Sequence, residues 1–430
     1  MRIAASLALL LSIAFFLPMP EDSAALENLD SAQVRLGLAF FACIAFLWMT
    51  EALPLAVTAI LVPVIAAAMG LASVKDSLAS FAAPPIFLFF GGFALASALS
   101  AQGLDRWLAT NLARLGKGKF VPVSVCLFGG TALLSMWMSN TATTAMMLPL
   151  AMGILSRFPA ETRNAHFLLL GLAYSASIGG LGTIVGSPPN GIAAKELGVT
   201  FAEWMRFGIP AVLVLLPAMI LTLHLLLKPS NGEFHEEPEA ETFAFTAQRT
   251  ITLGIFALTA LAWIFSAQLG KLLGITDTDT WIALAAVALL AATRVVGWQE
   301  IEKGTDWGVL LLFGGGLALS AILGSSGASL FMARLLGGAI GAWPLWAIVA
   351  AVVAFVIFLT ELSSNTASAA LLVPIFIAMS AEFGLSATTL VLPLALAASC
   401  AFMLPVGTPP NAIVFGTGRI PQREMIRVGF

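Results

Sequence analysis

Apolar residues fall into long blocks separated by short clusters of charge, proline and glycine, and no block alternates as a half-buried strand would. Each block of helix length predicts a helix. In the first part of the chain these are Ile3 to Leu17, Leu36 to Met49, Leu55 to Leu71 and Pro84 to Leu99. Leu104 to Leu115 differs: Asp105, Arg106, Asn111 and Arg114 share it with apolar residues at helical spacing, which predicts an amphipathic helix on a surface. Apolar sequence resumes at Val121 to Met138, is interrupted by Ser139, Asn140 and Thr141, and continues from Ala142 to Leu155. Phe167 to Ile184 and Phe207 to Leu227 follow. Beyond an acidic stretch come Ile251 to Phe265, Trp281 to Val296, Trp307 to Leu323, a surface-helix candidate at Ser329 to Gly338, and arms at Trp343 to Leu359 and Ala367 to Met379. A last segment, Leu390 to Phe415, is broken at Gly407 to Asn411.

Composition decides where these helices lie. Of 430 residues, 59% are apolar and 10% charged, with mean hydropathy +0.98, against about 45–50% apolar and about 25% charged in soluble domains. A water-soluble globular protein is excluded. At about 20 residues per crossing the chain holds about ten spans, so the expected fold class is an all-α polytopic membrane protein. The net charge of -3 and the absence of a long basic tract exclude a nucleic-acid partner. Cys43, Cys126 and Cys400 stand far apart in apolar runs and read as space-filling thiols. Arg2 and the run after it, with Ser23-Ala24-Ala25, resemble a cleavable signal. The acidic Glu21, Asp22, Glu27 and Asp30 instead favour a retained first helix with an outside loop. With the N-terminus cytoplasmic, most of the 20 Lys and Arg residues fall inside.

The chain repeats itself. Ser139-Asn140-Thr141-Ala142 with Met147-Leu148-Pro149 matches Ser364-Asn365-Thr366-Ala367 with Leu372-Val373-Pro374 at an offset of 225. Gly186-Ser187-Pro188-Pro189-Asn190 matches Gly407-Thr408-Pro409-Pro410-Asn411 at an offset of 221, and the match extends from Glu203, Arg206 and Gly208 to Glu424, Arg427 and Gly429. Phe90-Gly91-Gly92 echoes Phe313-Gly314-Gly315-Gly316. The expected organisation is an N-terminal helix and outside loop (1–30), a first repeat (31–228, hairpin tip 139–141, break 186–190), an acidic linker (229–248, with Glu233, Glu236, Glu237, Glu239 and Glu241) and a second repeat (249–430, hairpin tip 364–366, break 407–411). Five crossings plus a re-entrant hairpin per copy make the repeats inverted, the pattern of alternating access, with the site where apolar segments are interrupted in both halves.

The four interruptions have readable chemistry. Ser, Asn and Thr at a tip can cap the descending arm, and Pro188, Pro189, Pro409 and Pro410 fall in the first turn of a new helix, where a missing N–H is harmless. Helix N-termini suit a small anion, while the carbonyl ends of preceding arms, with Ser, Thr and Asn oxygens, suit a hard cation such as sodium. No Arg, Lys or His stands in the motifs, so an anion there would rely on dipoles and bound cations, which couples the two. A lone Ser-Asn-Thr would read as a helix–helix contact; its repetition beside Pro-Pro-Asn does not. Gly180-x-Gly182-x-x-x-Gly186 lacks the preceding strand of a nucleotide loop. His166, His224 and His235 have no metal-ligand spacing and read as interfacial. Glu361 reads either as a functional ionisable group or as a holder of the second tip.

At these residues the sequence resembles the divalent anion/sodium symporter family, from about Leu36 onward. Ala398-Ser399-Cys400-Ala401-Phe402-Met403-Leu404-Pro405-Val406-Gly407-Thr408-Pro409-Pro410-Asn411-Ala412-Ile413-Val414 meets that family's sodium:sulfate symporter pattern. The resemblance implies a homodimeric secondary transporter of the bacterial cell (inner) membrane, working by an elevator-type mechanism with lipid around it, and not an enzyme. Carried over by motif, Ser139, Asn140, Thr141, Ser364, Asn365 and Thr366 would contact the anion, helped by Ser187 and Thr408. Two sodium ions at least are implied, the first at Ser135, Ser139, Asn140 and Gly186, the second at Thr360, Ser363, Asn365 and Gly407. The leading expectation is sodium-coupled import of C4-dicarboxylates such as succinate; a sodium-independent exchanger and a tricarboxylate or sulfate symporter are the alternatives. By the repeat's own logic an eleventh helix should follow Gly429, so the chain reads as a fragment.

Overall fold

The protein is described by a computed structural model over residues 2–19, 24–114, 116, 119–157, 161–230 and 244–430. Most of the acidic linker, Ser23 of the cleavage motif, Leu115 and His235 lie outside these residues. Every regular element described is a helix. Among the described residues, seven helices are long and apolar enough to cross a membrane, or eight if Ser266–Leu273 and Thr278–Ala292, which meet at 90°, count as one span. Five shorter apolar helices join them, among them Arg2–Phe16, Leu55–Ala68 and Thr388–Ala398.

The described helices form two compact units, one of residues 1–86, 191–198 and 307–398, the other of 87–190, 199–306 and 399–430. In the first, helix Trp307–Ser325 packs on Leu55–Ala68 and on Asn365–Glu382. Its glycine run makes this possible: a Cβ on Gly315 would press into Ala59, and one on Gly316 would stand 2.8 Å from the Ala370 methyl. Close backbone approach replaces the hydrophobic drive that lipid removes. The helix Ala328–Ile340, expected at a surface, sends Arg334 to the Glu27 carbonyl at 2.7 Å and to the Glu382 carboxylate at 3.5 Å.

In the second unit, helix Thr162–Gly180 is buried from Asn164 to Gly180 and is wrapped by Phe120–Ser135, Asn140–Ser156 and Phe201–Leu227. Phe128 and Phe167 meet at 5.5 Å between ring centroids inside this core. His166, expected at an interface, is instead buried, with Nε2 3.1 Å from the Arg419 carbonyl and Nδ1 3.9 Å from Glu424. Thr200 and Glu203 form a reciprocal capping box that starts helix Phe201–Leu227.

Two further features depart from the sequence expectation. The second break is longer than 407–411: helix Thr388–Ala398 stops at Ala398 and the next, Pro409–Phe415, starts eleven residues later, after Thr408. The 90° corner before Thr278 was also unforeseen. There Gly274 ends one helix in the left-handed region and Asp277, at φ 49°, precedes the next.

Candidate functional site

Both hairpin tips fold as their residue types dictate. Ser139 has extended backbone and its hydroxyl accepts from the Ala142 N–H at 3.2 Å; Ser364 does the same with Ala367 at 3.4 Å. Asn140 and Asn365 are therefore the first residues of the descending helices, held at the positive ends of their dipoles. Thr141 is exposed and Thr366 buried, so the two copies are not interchangeable at the third motif position.

At the first tip, oxygen atoms converge. The Ser135 hydroxyl lies 2.6 Å from Asn140 Oδ1 and 2.7 Å from the Ala176 carbonyl oxygen, and its single proton serves only one of them at a time. The amide oxygen of Asn140 faces acceptors only. With the amide turned, its nitrogen reaches Ala176 O at 3.0 Å, Gly186 O at 3.3 Å and Ser135 Oγ at 2.6 Å. Three oxygens thus converge on the Asn140 side chain, a set whose chemistry suits the turned amide nitrogen or a hard cation. Ser135 and Gly186 are fully buried there, whereas the Ser139 hydroxyl is engaged as the cap.

The second tip repeats the arrangement inside the other unit. Thr360 Oγ1 lies 2.5 Å from Asn365 Oδ1 and 3.1 Å from the Ala398 carbonyl. Ser363 is turned to the Leu359 carbonyl at 3.2 Å and to the Ser368 hydroxyl at 2.7 Å. Gly407, the remaining expected ligand, belongs to the second unit. Glu361 is buried at the end of helix Leu345–Leu362.

Each break is pinned by its asparagine. Asn190 Nδ2 donates to the carbonyls of Gly180 and Thr183, both at 2.8 Å; Asn411 Nδ2 donates to those of Ala401 and Leu404, both at 3.0 Å. Carbonyls freed by the missing helical turns are thereby satisfied within the protein. Thr408 caps the helix that opens with Pro409 and Pro410, accepting from the Asn411 N–H at 3.2 Å. Pro188 and Pro189 open helix Pro188–Leu197. Ser187 shares a hydrogen bond of 3.0 Å with Ser399, which ties the first break to the segment before the second. Thr183 and the carbonyl of Ala176 carry no sequence signal, whereas Ala398 and Ser399 lie in the signature run without a role assigned to them there. Asn190 and Asn411 carry a signal, since they close the Pro-Pro-Asn motifs.

No group of three or more His, Cys, Asp or Glu that could hold a metal is found among the described residues. The arrangement offers neutral oxygens and helix dipoles, suited to ions that are bound and released.

The sequence signature described as "Citrate transporter" matches residues 45–390. The chain belongs to this transporter family. It is a multi-pass membrane transport protein rather than an enzyme, and the resemblance to divalent anion/sodium symporters is borne out. It is similar to an uncharacterized transporter of Haemophilus influenzae, 51% identical over 92% of this chain and 87% of that one. The sodium-dependent dicarboxylate transporter SdcS of Staphylococcus aureus is 35% identical, over 91% of this chain and 82% of its own length. Among solved structures, the YdaH transporter of Alcanivorax borkumensis shares the fold, with a TM-score of 0.58 over 82% of both chains at 15% identity.

Proposed function

We propose that this transporter imports small divalent anions, C4-dicarboxylates such as succinate first among them, coupled to at least two sodium ions. The observation that carries the reading is the convergence of the Ser135 hydroxyl and the Ala176 and Gly186 carbonyls on the Asn140 side chain, with its counterpart at Thr360 and Asn365. Hydroxyl and carbonyl oxygens gathered at a helix start suit a hard cation, and an asparagine at a helix N-terminus can turn its other face to an anion. The SdcS relative, named for sodium-dependent dicarboxylate transport, supports the same cargo and the same ion.

In this reading Ser139, Asn140, Thr141, Ser364, Asn365 and Thr366, with Ser187 and Thr408, hold the anion. Ser135, Ser139, Asn140 and Gly186 hold one sodium, and Thr360, Ser363, Asn365 and Gly407 the other. The matched hydrogen bonds of Asn190 and Asn411 support two copies of one unit, 31–228 and 249–430, arranged as inverted repeats. Alternating access is of the elevator type in a homodimer of the inner membrane, with the N-terminus cytoplasmic. Uptake of labelled succinate into proteoliposomes under an inward sodium gradient tests the proposal. Accumulation that needs sodium supports it, whereas equal uptake in choline driven by an opposing anion gradient replaces it with an exchanger. Citrate and sulfate as competitors separate the cargo classes.

A further inference from the structure

A cavity of about 480 Å³ in the first compact unit shares only Pro374 with the motifs described above. Its polar lining is Ser80, Lys195, Glu196, Ser320 and Ser329. Lys195 and Glu196 lie in the last turn of helix Pro188–Leu197, and Ser320 lines the cavity with them. The remaining wall is mainly small or apolar, with Leu317 and Ile377 on two different helices.

The repeat shows that this charged pair is an addition. At the offset of 221 that matches Ser187 to Thr408 and Asn190 to Asn411, Lys195 and Glu196 fall on Gly416 and Thr417. A device that each half needed for transport would occur twice; this one occurs once.

The charge pattern selects the occupant. A dicarboxylate is disfavoured by Glu196 and a bare cation by Lys195, whereas a molecule with one positive and one negative group meets both. Of the two charges, Lys195 suits a phosphate and Glu196 suits a primary ammonium, whose N–H groups it accepts. The volume is within the range of small-molecule sites, about 300–1,000 Å³. Leu78, on the helix Val74–Ala79 that runs into Ser80, is 49% exposed and offers apolar surface beside the polar lining. We propose that the cavity binds the ethanolamine phosphate headgroup of a membrane phospholipid, Lys195 on the phosphate and Glu196 on the ammonium. An occupant there also touches Pro374 of helix Asn365–Glu382. The lipid would thus bear on two helices whose first residues carry transport motifs.

The test reads lipid binding, so it stands apart from the identity of the cargo. The purified full chain is titrated in detergent with dioleoyl-phosphatidylethanolamine, -phosphatidylglycerol or -phosphatidylcholine, and retained lipid is counted by native mass spectrometry. Phosphatidylethanolamine should be retained in preference to phosphatidylglycerol, which lacks the ammonium, and to phosphatidylcholine, whose ammonium has no N–H. Lys195→Ala and Glu196→Gln should each lower that retention about ten-fold, as loss of one charge-assisted hydrogen bond would. Gly324→Leu should abolish it by filling the cavity, since a Cβ at Gly324 meets nothing within 4 Å and the fold has room for it. Equal retention of all three lipids, or wild-type retention by the three variants, overturns the proposal. Full competition by soluble glycerophosphoethanolamine at matched concentration also overturns it, in favour of a free zwitterion.

Discussion

Asn190 and Asn411, 221 positions apart, hold the same grip: each side-chain nitrogen donates to the carbonyls ten and seven residues upstream. Their amide oxygens are alike as well, both buried and without a hydrogen-bond partner among the described residues. Two loops of unlike sequence, Leu181 to Ser187 and Ser399 to Thr408, are thereby closed by one device. Gly208 and Gly429 extend the likeness, because a Cβ on either would collide with the backbone at Leu181 or Phe402, again 221 residues apart.

Replacing either asparagine with aspartate should be worse than replacing it with alanine. At Asn190 alanine orphans the buried carbonyls of Gly180 and Thr183, and at Asn411 that of Ala401, while Leu404 keeps the Gly407 N–H; each orphan costs about 1–3 kcal/mol. Aspartate does that and sets a charge against them. Thermal unfolding in detergent should rank wild type above Asn190→Ala and Asn190→Ala above Asn190→Asp, with the same order at Asn411. Aspartate variants as stable as alanine variants would show that the carbonyl contacts do not organise the breaks.

At the tips the expected effect is on ions rather than stability. Ser135→Ala and Thr360→Ala each remove one hydroxyl from an oxygen cluster and should raise the sodium concentration for half-maximal uptake several-fold, about 1 kcal/mol for one lost ligand interaction. Asn140→Ala and Asn365→Ala should abolish uptake in a protein that still runs as a folded species on size exclusion. Near-normal transport by both asparagine variants would remove these residues from the site.

Trp137, three residues before Asn140, stacks on Phe201 and Trp263 with interplanar angles of 24° and 8°. Aromatic pairs contribute about 0.5–1.5 kcal/mol each beyond burial, so Trp137→Ala should loosen the tip. Trp137→Phe should keep most of the contact. Higher half-saturating succinate for the alanine variant, largely restored by phenylalanine, is the expected result in the uptake assay; no difference between them would separate the stack from the site.

The helices were legible because lipid-facing and buried residues alike must be apolar, and the caps because Ser at a helix start has one ready hydrogen-bond use. Ser139 and Ser364 cap where their motif places them. The corner between Ser266–Leu273 and Thr278–Ala292 was not legible, since its apolar residues continue on both sides and only Gly274 and Asp277 mark the turn. The second break was placed at Gly407, where proline and glycine cluster, although the helix ends at Ala398. What permits the early end is a side chain ten residues beyond Ala401, a partnership that local sequence does not encode. The carbonyls of Ala176 and Ala398 were invisible for a simpler reason: a backbone oxygen has no residue signature.

Cysteine accessibility checks the inverted arrangement. Arg106, on the amphipathic helix Leu104–Arg114, and Leu335, on helix Ala328–Ile340, are both exposed. Arg106→Cys should react with a membrane-impermeant thiol reagent only after the cytoplasmic side is opened, and Leu335→Cys in intact cells. The test is made in a background lacking Cys43, Cys126 and Cys400. Labelling of both from the same side is incompatible with inverted repeats.

The sign of the coupling follows from charge. Two sodium ions neutralise a divalent anion, so transport using only the two oxygen clusters is electrically silent and its accumulation ratio ignores membrane voltage. A third ion changes this, because each net charge crossing the full field gains about 2.3 kcal/mol per 100 mV, roughly a fifty-fold steeper gradient at equilibrium. The expected result is a sodium dependence with a Hill coefficient above one, and a succinate accumulation ratio that rises with the square of the sodium ratio. Proteoliposomes clamped by potassium and valinomycin give the measurement. A ratio that moves with voltage at fixed sodium would require a third cation. The site would then have to lie outside the clusters at Asn140 and Asn365, and Ser135→Ala and Thr360→Ala would leave the voltage slope unchanged while they lower apparent sodium affinity.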